Sequence, residues 1–307
     1  MKKALFCLLA VCSLTASAQV VEVRSITAVP VQHFNGSKVS VYQPVISPDG
    51  TCAVANSCLD QSLFRIDLSV GSVSRLDIEG SAWDVSFSPD SKGIVFKTVI
   101  TRENHLNYRF VQSYDFASGS HRRLTGEARH CASFDVAPQG GLFIAESGRM
   151  RSVAISGRNA AVAPSRAIVD INLGHLEVTY PDGTVANIDP QGPGSYLWPA
   201  LSPDGTKIAY YVVGGGCFVC NLDGSNAREI GYVHGPTWLD NNTIIGFQDY
   251  DDGQAVTSST VVAANLSGTI QQLTEPSLLG MFPSATADAK TILFCTADGD
   301  LYTINLK

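Results

Sequence analysis

Pro199-Ala200-Leu201-Ser202-Pro203-Asp204-Gly205 joins one short apolar run to a turn, and a second apolar run follows at once over Lys207–Val212. Pro presets φ at the first turn position, Asp bonds its own backbone and Gly accepts a positive φ. The heptad therefore predicts a tight hairpin between two strands. The pattern recurs as Pro44-Val-Ile-Ser-Pro-Asp-Gly50 and Val85-Ser-Phe-Ser-Pro-Asp-Ser91. Weaker copies occupy 134–140 and 236–242, and the most decayed is Pro283-Ser-Ala-Thr-Ala-Asp-Ala289. After each turn come an apolar strand, a loop, a third strand such as Leu301-Tyr-Thr-Ile-Asn-Leu306, and in most units a fourth such as Gln271-Gln-Leu-Thr274. Four antiparallel strands repeating every 40 residues or so are the pattern of propeller blades, and no helical periodicity competes with it.

Six turns predict an all-β fold, a six-bladed β-propeller of four-stranded antiparallel blades. The sixth unit stops at Leu306, one strand short, while Val20-Val-Glu-Val-Arg-Ser-Ile26 is a strand without a unit. The N-terminal strand is expected to complete the last blade and close the ring, which removes open sheet edges.

The repeat resembles that of TolB-type (PD40, WD40-like) propellers, in which S-P-D-G follows the innermost strand and D-L-D-G-x-x-x-R-x-L-T links the two outer ones. Asn221-Leu-Asp-Gly-Ser-Asn-Ala-Arg-Glu-Ile230 matches the second signature except at Asn221. The likeness covers the propeller part only, since about ten residues separate the first strand from the first blade and leave no room for the α/β domain of TolB. It implies a non-catalytic protein- or peptide-binding or scaffold module at the cell envelope, with the channel mouth and rim as contact surfaces.

Lys2 and Lys3, the apolar run 4–11 and Ala16-Ser17-Ala18 have the layout of a cleavable signal peptide, residues 1–18, with Gln19 as the new N-terminus. The expected domain plan is a single propeller over 19–307, periplasmic or secreted, monomeric and without a membrane span. A net charge of −7 gives no general attraction for phosphate backbones, so nucleic acid is not an expected partner. Of the cysteines past the signal, Cys52, Cys58, Cys131, Cys217, Cys220 and Cys295, a core this large needs no disulfide. Buried thiols and one or two disulfides both remain open, and Cys217-Phe-Val-Cys220 lacks the second pair or nearby His of a zinc site.

One interval breaks the period. Pro138 and Pro203 lie 65 residues apart, against 41 between Pro48 and Pro89. The surplus predicts an enlarged third blade with an insertion over 147–172, whose Arg149, Arg151, Arg158 and Arg166 offer a basic face to an anionic partner. A solvated loop is the plainer reading of the same residues.

Counting back from each turn places Tyr42, Gln43, Trp83, Asp84, Ser133, Trp198, His234 and Phe282 at one mouth of the channel, with His130 and Tyr196 slightly farther out. That aromatic, modestly polar ring suits a peptide or, as the alternative, a carbohydrate, as in oligogalacturonate-lyase-like propellers. Only His130, His234 and Asp84 could converge on a metal, too few for a metal site or cofactor to be expected. No G-x-S-x-G elbow or phosphate-binding glycine loop is present, and no catalytic residue is assigned.

Overall fold

The computed structural model describes residues 19–307 apart from 61, 147 and 155–162; the expected signal peptide and Arg158 lie outside the described residues. Among the described residues the strands form seven antiparallel sheets, not six. Blades 1, 2, 5 and 6 are four-stranded over 41–75, 81–123, 196–231 and 234–272. Among the described residues blades 3 and 4 have three strands each, over 133–153 and 168–187. Blade 7 combines three strands over 280–306 with the N-terminal strand Val23–Ala28, which pairs antiparallel with Leu301–Leu306 and closes the ring.

The six-blade expectation fails at the long interval. Its 65 residues hold a whole additional blade, and the segment read as an insertion contains the third strand of blade 3, Arg149–Val153, and the inner strand of blade 4, Ile168–Asn172. Blade 4 escaped the repeat because its first hairpin turns on Leu173 and Gly174, both at positive φ (51° and 86°), rather than on S-P-D-G. That is the two-residue hairpin geometry whose twist suits antiparallel strands. Its Pro181-Asp182-Gly183 instead joins the second and third strands.

Inner strands of neighbouring blades contact one another at the junctions of blades 1 and 2, 3 and 4, 4 and 5, 5 and 6, 6 and 7, and 7 and 1. Seven apolar clusters sit between consecutive blades, one at each junction. Second strands are buried on both faces: Cys52 and Val54 pack toward blade 2, Ala53 and Ala55 toward blade 7. This double burial explains why those strands read as unbroken apolar runs rather than alternating ones. It also separates Cys217, packed toward blade 6, from Cys220, packed toward blade 4. All six described cysteines are unpaired. Among the described residues the blade 3–4 cluster is the smallest, with Ala137, Phe143 and Ile168 as its buried members.

Each well-kept turn is built the same way. Buried Ser47 donates to Asp49 at 2.7 Å, Ser88 to Asp90 at 2.7 Å, Ser202 to Asp204 at 2.7 Å and Thr286 to Asp288 at 2.7 Å. The same hydroxyls accept from the first amides of the next strand, Cys52, Gly93, Lys207 and Thr291, at 2.9–3.1 Å. Ser or Thr in the motif thus satisfies a buried backbone donor, which would otherwise be costly.

Candidate binding mouth

At the mouth opposite those turns, the inner strands of five blades slip register by a bulge, at Tyr42/Val45, Trp83/Ser86, Leu197/Ala200, His234/Thr237 and Met281/Ser284. Within each bulge one residue is left-handed: Gln43 (φ 50°), Asp84 (53°), Trp198 (48°), Gly235 (52°) and Phe282 (50°). Four of these carry side chains, for which that conformation costs on the order of 1 kcal/mol or more. Pro44, Pro199, Pro236 and Pro283 follow four of the five. Proline has no N–H to give the ladder, so it is tolerated where pairing is already interrupted.

Blades 2 to 4 supply a charged half. Lys97, on the second strand of blade 2, has a side chain only 7 % exposed and places Nζ 2.9 Å from Asp84 and 2.6 Å from Asp170. Ser133 also donates to Asp170, at 2.6 Å. Burial alone lowers the Lys97 pKa, but the two carboxylates outweigh it and hold the ammonium well above the usual lysine range. Asp84 keeps half of its side chain in solvent. Nearby Cys131 is pushed up to about 12 by burial, Lys97 pulling the other way.

Blades 5 to 7 supply an aromatic half. The His234 ring lies 4.5 Å from Tyr232, 4.6 Å from Tyr211, 5.6 Å from Trp198 and 5.7 Å from Phe247, centroid to centroid. Phe247 in turn meets Phe282 of blade 7 at 4.9 Å. His234 Nδ1 is 2.6 Å from Asp249, whose backbone carbonyl accepts from Tyr232 Oη at 3.0 Å. Burial and the Asp249 charge push the Tyr232 phenol up to about 12. Trp198, Tyr232 and Tyr250 remain 37 %, 38 % and 65 % exposed, so the strip stays open to solvent.

Gln43, Asp84, Trp198 and Phe282 therefore occupy one structural position, the bulge of blades 1, 2, 5 and 7, and His234 precedes the bulge glycine of blade 6. Tyr42 and Trp83 immediately precede their bulges and are half-buried. Tyr196 is buried between blades, bonded to Gln191 and Gly192 and packed on Tyr210. His130 is exposed on the approach to blade 3. Among the described residues no three metal-ligating side chains converge.

Of the arginines, Arg149 is exposed, while Arg151 donates to the Leu124 carbonyl at 2.6 Å. Arg166 is 11 % exposed, bound to Asp135 at 2.8 Å and to the carbonyls of Ser202 and Pro203 at 2.7 Å. Lys97, Asp170, Tyr232, Asp249 and Tyr250 are the mouth residues that repeat counting did not find. The one signal in the sequence for Lys97 is a charge inside an apolar run.

No protein-family model matches the chain, and no curated protein sequence does. Solved structures do match. The WD40 repeats of RRP9 align over 94 % of this chain and 99 % of that one, at a TM-score of 0.60 and 13 % identity. TolB from Acinetobacter baumannii aligns over 81 % of this chain and 57 % of its own, at 0.51 and 14 %. The tricorn protease aligns over 87 % and 25 %, at 0.51 and 18 %. The chain is a β-propeller. At these identities the likeness is one of fold, and this propeller spans little more than half of that TolB chain and a quarter of the protease. Among the described residues no helix is long and apolar enough to cross a membrane.

Proposed function

We propose that this propeller is an exported, non-catalytic binding module that grips a protein or peptide segment across the bulged mouth. The observation that carries the reading is the repetition of a left-handed residue at one level of five inner strands, at Gln43, Asp84, Trp198, Gly235 and Phe282. A conformation that costs energy at four side-chain-bearing positions is kept where those side chains line one opening. Such strain concentrates at ligand-binding surfaces. The mouth pairs solvent-exposed aromatic rings with charged groups, and extended peptides need both: apolar contact for side chains and polar partners for the backbone. The exposed Trp198 ring also favours a second reading, in which the strip stacks on a pyranose ring.

A photo-crosslinking residue at Gln43, which is exposed, is expected to capture a defined partner in cells, whereas the same residue at Asn241 on the turn face does not. Equal capture from both positions, or none from either, overturns the mouth as the binding surface. Fractionation with N-terminal sequencing tests export, with Gln19 as the expected first residue.

A further inference from the structure

Charge is unevenly placed around this ring. Between Lys207 and Lys290 the chain carries eight carboxylates and one cation, Arg228, and that cation donates to the Leu266 carbonyl. From Lys92 to Arg166 the balance reverses, with eleven basic residues against five acidic ones. The cation-poor arc is the one that holds the aromatic strip. From Trp198 through His234 and Tyr232 to Tyr250 each ring is within 4.5–6.1 Å of the next, and Tyr232 and Tyr250 are stacked at 29°. Asp249 sits beneath the strip, and exposed Asp251 and Asp252 cap the hairpin beside Tyr250. The faces of Trp and Tyr carry negative charge density, so an exposed row of them beside carboxylates attracts a cation that can also lie flat. Among protein side chains the arginine guanidinium fits best, being planar, permanently charged and weakly hydrated.

We infer that the Trp198–Tyr232–Tyr250 strip is a recognition site for an arginine side chain of an extended peptide, with Asp249, Asp251 and Asp252 supplying the compensating charge. This rests on the peptide-binding reading above and deepens it. The site explains why three large rings stay open to solvent at one place in a chain that otherwise packs its blades tightly. It also fixes placement: the arginine lies over blades 5 and 6, and the rest of the segment extends toward Asp84 and Gln43.

The test uses the full mature chain and two fluorescent hexapeptides that differ only in one central residue, arginine or its neutral isostere citrulline. The arginine peptide is expected to bind at least about five-fold more tightly, the order that cation–π and carboxylate contacts supply at a partly exposed site. Trp198→Ala and Tyr250→Ala are each expected to remove most of that preference; Tyr250 is 65 % exposed, so its replacement leaves folding intact. Asp251→Asn with Asp252→Asn should reduce it, whereas Asp223→Asn with Asp240→Asn, on the turn face, should not. Equal binding of the two peptides overturns the inference while leaving a peptide-binding mouth in place. An arginine preference that survives Tyr250→Ala and Trp198→Ala, or that falls equally with the turn-face carboxylates, overturns it as diffuse attraction. Failure of the Gln43 crosslink defeats the underlying reading separately.

Discussion

Lys97 Nζ lies 2.6 Å from Asp170 Oδ2, so the second strand of blade 2 is tied across blade 3 to the inner strand of blade 4. Because Asp84 of blade 2 and Ser133 of blade 3 join the same cluster, three blades share one buried charge. Lys97→Met would leave Asp170, 26 % exposed, and Asp84 without their cation. A wholly buried pair costs about 3–5 kcal/mol to break, and solvent at both carboxylates brings the expected loss to about 2 kcal/mol. Denaturant unfolding of Lys97→Met checks this, and Lys97→Met with Asp170→Asn should recover part of the loss. The pH sign follows from the raised pKa. The contribution is complete below the ordinary lysine pKa and disappears as pH rises through the higher folded value. Wild type should therefore lose its margin over Lys97→Met only in strong alkali.

The acid side is set by the turns. Burial works to raise Asp49 and Asp204, but hydrogen bonds from Ser47 and Thr51, and from Ser202 and Thr206, hold both below the usual carboxylate range. At Asp288 the Thr286 hydroxyl is the largest influence, in the same direction. Depressed pKa values contribute stability above about pH 4 that is lost as pH falls through the folded values. The melting temperature should drop below about pH 4, and Asp204→Asn should flatten that drop while costing about 1 kcal/mol at neutral pH. A pH profile of Tm for both proteins gives the answer.

How far the sequence showed all this depends on which residues carried a local signature. The S-P-D-G hairpins were legible because Ser, Pro, Asp and Gly each have a backbone task within seven residues. Blade 4 was not, because Leu173-Gly174 makes the equivalent hairpin with no such signature and its P-D-G lies one turn later. The bulge positions Gln43, Asp84, Trp198 and Phe282 were found by counting back from the turns, since register propagates along a strand. Lys97–Asp170 and His234–Asp249 were invisible. Their partners are 73 and 15 residues apart, and they meet through the packing of blades 2 to 4 around the channel and a long hairpin rather than local spacing.

Thiol chemistry should separate the cysteines. Burial pushes Cys217, Cys220 and Cys295 up to about 12; it also raises Cys58, but Cys58 alone is exposed to reagent. Thiolate is the reactive form, so at pH 8 native protein should expose one rapidly titrating thiol, Cys58, with the buried ones released on denaturation. Rapid titration of more than one native thiol contradicts this packing.

The N-terminal strand is the ring's clasp. Gln271 Oε1 accepts from the Val20 and Val21 amides at 2.6 and 2.9 Å, and Val20, Val21 and Val23 pack on the blade 6–7 core. Removing residues 19–28 forfeits this burial and bares the edge of Leu301–Leu306. Three half-buried valines and their ladder bonds amount to about 4 kcal/mol, equivalent to a Tm fall of about 10 °C. The truncated chain should also self-associate through the freed edge, which size-exclusion chromatography will detect.

Arg166 ties three blades together beside the smallest apolar cluster among the described residues. It lies on the entry to blade 4, yet its guanidinium binds Asp135 of blade 3 and the turn carbonyls of Ser202 and Pro203 in blade 5. Blade 4 is thereby bracketed by its neighbours at the junction where Ala137, Phe143 and Ile168 are the buried apolar members. Burial raises the Asp135 pKa despite the guanidinium beside it, so Asp135 depends on that cation for its charge. Arg166→Met would strand Asp135 and two carbonyls, at a cost of about 3 kcal/mol. Arg166→Lys keeps the charge but cannot span three acceptors, so it should recover less than half of that loss. Hydrogen exchange should show the damage first in 168–187, ahead of global unfolding. Uniform loss of protection around the ring would show that the guanidinium does not act locally on blade 4.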